Sequence, residues 1–494
     1  MRLIAGRRSI ALAGLAAWAL SATLALAQSL NPELRALVDR FGLVGAKVGV
    51  SVMDADSGEV LGDINADLQL IPASNMKILT SGTAAAVLGP KFSFNTELIR
   101  ADDTLIVLGS GDPALGDPVL LKEMGIGVED LLRTWVEAVK KSGDGPITSI
   151  VVDDRVFDRT FVQPSWPVDQ LNRWYCAQVA GVNFHTNVIS VFASPGKPGD
   201  APRFSIEPRA DWLDIQNKAK TATSGSNTLW GARAIGTNSM TLHGAVRWTL
   251  PEPLEITVDN PAQFFGKVLA DRLEAAGYGR IAVRLPETGE MLPAGQTIAV
   301  VRTPLEVALR RTNVNSHNLY AEALLKRVGR EVTGQSGSWE NGAAVVRMAT
   351  LQRIGPERAS QIVVADGSGM SRDNLVTAEC LSRWLLTFHR DPKAGPMFID
   401  SFPVAQEDGS LKARFSGKEL QAEIRAKTGY IRSVSSLSGY VTETSTNRRL
   451  VFSVIVNDFP AKTPLKSVKD FQEAVALLTQ QALLKRVGAP ELGG

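Results

Sequence analysis

The sequence predicts an α/β (α+β) fold in which one antiparallel sheet, flanked by helices, is built from both ends of the chain. Three observations carry this expectation. Alternating apolar and small residues mark strands at Ala46–Asp54 and Glu59–Ile64 near one end. The same alternation marks Leu420–Ala426, Ser435–Val441 and Arg449–Asn457 near the other. Between them, from about residue 92 to 295, the texture turns to strand and turn, rich in Gly, Pro, Asp and Thr, and reads as a long insertion.

The elements follow in order. Arg2, Arg7 and Arg8 precede an uncharged apolar run, Ile10–Leu24, and then Ala25-Leu26-Ala27, the pattern of a secretory signal peptide over residues 1–27. The run falls short of the roughly 20 residues that span a bilayer, so no membrane anchor is expected in the mature chain. Arg7-Arg8 raises the twin-arginine route beside the general secretory one, to which the flanking residues fit better. Removing three arginines and no acid takes the formal charge from +2 to −1, which leaves no basic footprint for nucleic acid. What remains of 494 residues is too long for one core, so two or three domains are expected.

Asn31–Phe41 reads as a helix, and Asp56-Ser57-Gly58 as a turn between the first two strands. At Ser74 the period changes: Met76, Leu79, Ala86 and Val87, with Thr83 among them, lie on one face of a helix closed by Gly89-Pro90. Ser74 therefore falls at a helix start, where unpaired N–H groups and the helix dipole favour negative charge. The insertion holds two long helical patterns, Gly127–Lys141 and Ala262–Ala276. Helices return at Pro304–Arg311, Asn318–Val328, Gly342–Arg353 and Thr377–Asp391, and an amphipathic one closes the chain at Lys466–Leu484.

Serine is a poor nucleophile unless a base takes its proton, and a lysine one helical turn later lies on the same face. Ser74-Asn75-Met76-Lys77 supplies that pair. The spacing is cheap, since Ser194-Pro195-Gly196-Lys197 also has it in a Pro/Gly loop. Order adds the weight: Ser316-His317-Asn318 precedes a helix, and Lys427-Thr428-Gly429 ends a predicted strand. Ser-x-x-Lys, Ser-x-Asn and Lys-Thr-Gly, in that order, are the motif set of penicillin-binding proteins and class A β-lactamases.

On these residues the chain resembles the D-alanyl-D-alanine carboxypeptidase/endopeptidase family of low-molecular-mass penicillin-binding proteins, peptidase family S13. The resemblance extends to Pro72–Lys77, Gly109-Ser110-Gly111-Asp112-Pro113, Asn315–Glu322 and Asp366–Arg372. It implies a transpeptidase-like catalytic domain, residues 28–91 and 296–494, interrupted by two mainly-β domains at 92–164 with 251–295 and at 165–250. The 242 positions from Ser74 to Ser316 leave room for such an insert, which a class A β-lactamase lacks.

The same resemblance implies roles. Ser74 is the nucleophile, Lys77 its base, Asn318 an orienting amide and Ser316 a proton relay to the departing D-alanine. Lys427 and Thr428 hold the terminal carboxylate beside Gly429, and the N–H groups of Ser74 and Tyr430 form the oxyanion hole. The pKa of Lys77 must fall, which burial and the cation of Lys427 are expected to promote. Asp153 (or its neighbour Asp154) and Arg372 are candidates for the charged end of a diamino-acid side chain. His317 is a departure, since aspartate is common there. Peptidoglycan stem peptides are the implied substrates and β-lactams the covalent inhibitors of an exported, periplasmic protein, loosely held at the membrane or free. A homo-oligomer is left open.

A Ser-His-Asp machine is the obvious competitor, but His185, His243, His317 and His389 sit in no triad pattern and no G-x-S-x-G elbow occurs. No H-E-x-x-H or paired-cysteine signature calls for a metal or cofactor. Cys176 and Cys380 are left open between a disulfide and two buried thiols. Two rival functions share the fold: a penicillin-recognising esterase or β-lactamase, and a cell-wall-binding scaffold without turnover.

Overall fold

The structure, a computed structural model, describes residues 29–488, so the signal peptide expected over 1–27 lies outside the described residues. Five antiparallel strands form the terminal sheet in the order Glu423–Ile431, Val434–Thr442, Arg449–Asn457, Lys47–Asp54, Val60–Ile64. Its seam joins the two chain ends, with Lys47 opposite Asn457 and Asp54 opposite Leu450. The strand expected to end at Ala426 runs on to Ile431, because a turn at Arg432-Ser433 folds it back along Val434–Thr442. Lys427-Thr428-Gly429 therefore lies inside an edge strand.

One face of this sheet is covered by the helices Asn31–Arg40 and Leu465–Gly488, which share a core with Val50, Val52, Phe452 and Val454. Helix Ala378–His389 packs on the other face. Behind it stands helix Met76–Leu88, enclosed by Leu305–Asn313, Asn318–Thr333 and Trp339–Ile354. The apolar period predicts one buried face for Met76–Leu88, but it is buried on all sides from Met76 to Ala85. Two of its hydroxyls reach carbonyls: Thr80 Oγ1 donates to Gly367 O on a neighbouring loop at 2.8 Å and Ser81 Oγ to Lys77 O at 2.6 Å, while Thr83 Oγ1 has no partner among the described residues. Gly82 leaves room for the Trp384 indole, whose Nε1 would lie 2.6 Å from an added Cβ.

The insertion carries a second five-stranded sheet in the order Ala282–Arg284, Ser149–Asp153, Thr104–Gly109, Ser93–Ala101, Gln296–Pro304. Helices Val128–Lys141 and Pro261–Ala275 pack into the core beneath it. Gln296–Pro304, which begins at the boundary expected at residue 296, bonds along Ser93–Arg100 and so joins the insertion's sheet. The inner segment forms short strands of its own. Its Val182, Phe184, Ile189, Val191 and Met240 nevertheless join the core of Leu98, Trp135, Val152 and Phe265, so inner and outer parts share one core.

Cys176 and Cys380 are both buried free thiols. Burial pushes the Cys176 thiol up to about 12, so it stays protonated and inert. Among the described residues, no helix is long and apolar enough to cross a membrane and no His/Cys/Asp/Glu group is placed to hold a metal ion.

Candidate active site

Ser74 sits in a 3₁₀ turn, Ala73–Asn75, that feeds directly into helix Met76–Leu88. The turn is pinned from two sides. Asn75 Nδ2 donates to Lys427 O at 2.7 Å and Asn75 Oδ1 accepts from Ser438 Oγ at 2.7 Å, while Ser436 Oγ donates to Pro72 O at 2.7 Å. Ala73 adopts φ +47°, a left-handed conformation that a neighbouring contact must hold. That contact is Gly369, whose Cβ, if present, would fall 1.8 Å from Ala73 O. Gly429 is equally constrained, since a Cβ there would lie 2.2 Å from Ser436 Oγ and 3.0 Å from Ser74 N. The edge strand thus passes directly against the Ser74 N–H.

Lys77 Nζ is wholly buried and bonds to neutral oxygens: Ser74 Oγ at 3.0 Å, Asn318 Oδ1 at 2.7 Å and Ser368 O at 2.8 Å. Burial pulls its ammonium down to about 7, against the raising pull of the Glu322 and Asp366 carboxylates. Burial is the first cause at both lysines, and at Lys427, held well below the lysine range, the Lys77 cation is the second. Lys427 Nζ donates to Ser316 Oγ at 2.8 Å and to Thr428 O at 2.7 Å. Ser316 takes φ +57°, and helix Asn318–Thr333 starts just after it.

The structure therefore joins Ser74, Lys77, Asn318, Ser316 and Lys427 through continuous strand, turn and helix contacts, with Thr428, Gly429 and the half-exposed Tyr430 on the adjoining edge. Arg372 lies on the loop after Asp366 and donates to Arg432 O at 2.9 Å, at the turn closing that edge strand. Asp153 is not brought to the site. Its carboxylate is held by Arg155 at 2.7 and 2.8 Å in a cleft lined by Arg159, Arg327 and Arg330 and by none of the catalytic groups. Asp154 is likewise spent on Arg159 at 2.9 Å.

Sequence reasoning missed the supporting frame. Buried Glu322 accepts from Gly367 N at 2.9 Å, Ser368 N at 2.8 Å and Trp339 Nε1 at 2.8 Å, and so aims the Ser368 carbonyl at Lys77. Its position one turn after Asn318 on the same helix was the available signal. Burial, then Asp366, raises its carboxyl to about 7. Asp366 gathers the next turn through Gly369 N at 2.7 Å, Ser371 N at 2.6 Å and Trp166 Nε1 at 2.9 Å. The inserted segment that does reach the site is Trp166–Cys176: Tyr175 O accepts from Asn318 Nδ2 at 2.8 Å. No periodicity marks that irregular stretch.

A serine whose basic neighbour is a buried lysine, set beside a Lys-Thr-Gly edge strand, makes this an active-site-serine hydrolase of the penicillin-recognising class. Residues 30–481 match the D-Ala-D-Ala carboxypeptidase 3 (S13) family, and the chain belongs to it as a serine-type D-alanyl-D-alanine carboxypeptidase. It is 31% identical over 477 residues to the D-alanyl-D-alanine carboxypeptidase of an Actinomadura species, covering 91% of this chain and 84% of that one. It is 23% identical over 434 residues to D-alanyl-D-alanine carboxypeptidase DacB of Haemophilus influenzae, covering 84% and 86%. The crystal structure of penicillin binding protein 4 from Haemophilus influenzae shares the fold, with TM-score 0.74 and 22% identity over 90% of this chain and 99% of that one.

Proposed function

We propose that the chain cleaves the terminal D-alanyl-D-alanine bond of peptidoglycan stem peptides, and the related bond of cross-links, through an acyl-enzyme on Ser74. The observation that carries this is the 3.0 Å contact from Lys77 Nζ to Ser74 Oγ, made by an amine that burial holds near neutrality. A neutral Lys77 takes the Ser74 proton as Oγ attacks the carbonyl carbon, and the C–N bond then breaks. Ser316, bonded to Lys427, gives its hydroxyl proton to the departing amine and takes in its place the one Lys77 removed from Ser74, which returns Lys77 to its neutral form for deacylation. Lys427 and Thr428 hold the product carboxylate, which restores charge to Lys427. The N–H groups of Ser74 and Tyr430 stabilise the oxyanion, a reading supported by the close pass of Gly429 over Ser74 N. Water attacking the same carbonyl releases the acyl group.

A β-lactam presents the same amide in activated form and acylates Ser74 in the same way. One solved Haemophilus influenzae penicillin binding protein 4 is complexed with a β-lactam, in keeping with this. Arg372, exposed beside the turn of the edge strand, is the cation in place for a carboxylate on the substrate's side chain. With the expected leader removed, the protein acts on the wall outside the cytoplasm. Muropeptides incubated with the purified mature protein should lose terminal D-alanine, and a fluorescent penicillin should label it. Labelling that persists in Ser74→Ala overturns the assignment.

A further inference from the structure

One buried ion pair stands apart from the proton path. Asp117, in the insertion, is wholly buried, and its Oδ2 accepts from Arg311 Nε at 2.9 Å, from Arg311 Nη2 at 2.7 Å and from the Tyr320 hydroxyl. Its Oδ1 accepts from Val119 N at 2.9 Å, so both oxygens are engaged. Burial opposes the charge, but the Arg311 cation outweighs it and keeps the Asp117 carboxyl below its ordinary range. Arg311 stands on helix Leu305–Asn313 and Tyr320 on helix Asn318–Thr333. A single carboxylate from the insertion thus gathers both helices that flank Ser316.

The turn between those helices is not at rest. Ser316 takes φ +57°, a conformation that persists in a serine only where its surroundings impose it. The next residue supplies the grip: His317 N donates to Arg311 O at 3.2 Å, and its ring packs edge-on at 5.1 Å from Tyr320. Burial, then the Arg311 cation, hold the pKa of that ring down to about 3, so it is a neutral wedge. Both residues that grip His317 are held by Asp117. The start of the turn has separate anchors. Asn313 Nδ2 donates to Ser81 Oγ at 3.0 Å and Ser401 Oγ at 2.8 Å, and Ser410 N donates to Val314 O at 3.0 Å. Losing Asp117 therefore leaves the segment attached and frees its Ser316 end.

We propose that Asp117 is a positioning residue for the proton relay, holding Ser316 Oγ through Arg311 and Tyr320 where it can hand a proton to the departing amine. The inference rests on the reading of Ser316 as that relay. Lys427 donates to Ser316 Oγ, which leaves the Ser316 hydroxyl hydrogen free to be aimed. An amide nitrogen cannot depart without a proton, so breaking the C–N bond needs that hydrogen within bonding reach. A thioester sulfur departs as a thiolate, so breaking the C–S bond needs only Ser74 and its base. The insertion thereby tunes the serine towards amides.

The test compares kcat/KM for a D-alanyl-D-alanine peptide and its D-alanyl-D-thiolactate counterpart, which share one acyl group and a leaving-group carboxylate. In Asp117→Asn the amide value should fall about 10²-fold, the cost of misplacing a reacting group by roughly 1 Å, with the loss in kcat. The thioester value should stay near that of the unaltered protein. Tyr320→Phe keeps the ring beside His317 and removes only the hydroxyl on Asp117, so it should shift the ratio the same way by a smaller factor. Where Asp117→Asn folds, it decides; where it does not, Tyr320→Phe does. Equal losses on both substrates, or an unchanged ratio, in the deciding variant overturn the positioning role. Ser316→Ala is the reference: a selective amide loss there upholds the relay reading, and an equal loss on both substrates overturns that reading and this inference with it.

Discussion

Two lysines in this protein are wholly buried on neighbouring helices, and they have opposite fates. Lys77, in the catalytic cleft, touches a hydroxyl, an amide oxygen and a backbone carbonyl. Lys326, at the seam with the insertion, donates to the Asp158 carboxylate at 2.7 Å and to Thr160 O at 2.8 Å, 3.8 Å above the Trp339 ring. Burial lowers both, but at Lys326 the carboxylate is in direct contact and keeps the charge useful as a clamp. Near Lys77 the acids Glu322 and Asp366 are occupied by backbone N–H groups and act from a distance. Burial alone does not make a lysine a base. A dry pocket lined with neutral acceptors does.

The comparison breaks most sharply at the two lysines themselves. Lys77→Ala should slow penicillin acylation by about 10² or more, the usual loss for a general base, while thermal melting changes little in comparison. Lys326→Met should do the reverse: about 2–3 kcal/mol of stability lost, because Asp158 loses its partner at a partly buried seam, with acylation by the folded protein retained. Acylation rates matched to unfolding curves for both variants check this. Equal acylation losses would mean that the two lysines are not different in kind.

Arg372→Ala should reduce kcat/KM for stem peptide roughly tenfold and leave penicillin acylation nearly untouched, because its contact is remote from the scissile bond. Asp153→Ala, by contrast, should leave that peptide-to-penicillin ratio unchanged, since its carboxylate is bound to Arg155 away from the catalytic groups.

The smallest effect is the most diagnostic. A base with a pKa of about 7 must lose its proton before it can act, so acylation should rise with pH through about 7 and level off above it. Glu322 raises the pKa of Lys77, so Glu322→Gln should move that acidic limb to lower pH. A lower plateau with no displacement of the limb would show that Glu322 only holds the loop.

The motif residues were legible in the sequence because each sits at an element start or on a strand, where order and setting restrict chance matches. The closed sheet was legible too, from alternation at both ends of the chain. Two things were not. The stretches Asn315–Glu322 and Asp366–Arg372 stood out by resemblance, but the supporting roles of Glu322 and Asp366 did not, because they act through backbone amides, and a hydrogen bond to a carbonyl or an N–H leaves no residue pattern. Asp153 was offered by the resemblance as a substrate-binding acid, yet its carboxylate is held by Arg155, two positions away. The sheet that Gln296–Pro304 joins was hidden for a related reason: it alternates like any strand, and only pairing shows which sheet takes it.

The seam between Lys47–Asp54 and Arg449–Asn457 also sets a timetable for the molecule's birth. The insertion, contiguous from Ser93 to Pro304, contains every strand of its own sheet and can fold while the rest of the chain is still emerging. Ser74 is made early, but Lys427 and the strands that hold the Ser74 turn are made almost last. Such long-range pairing is slow to close. Until the final strands arrive, Ser74 has no edge strand beside it, and the contacts that join it to Lys427 cannot form.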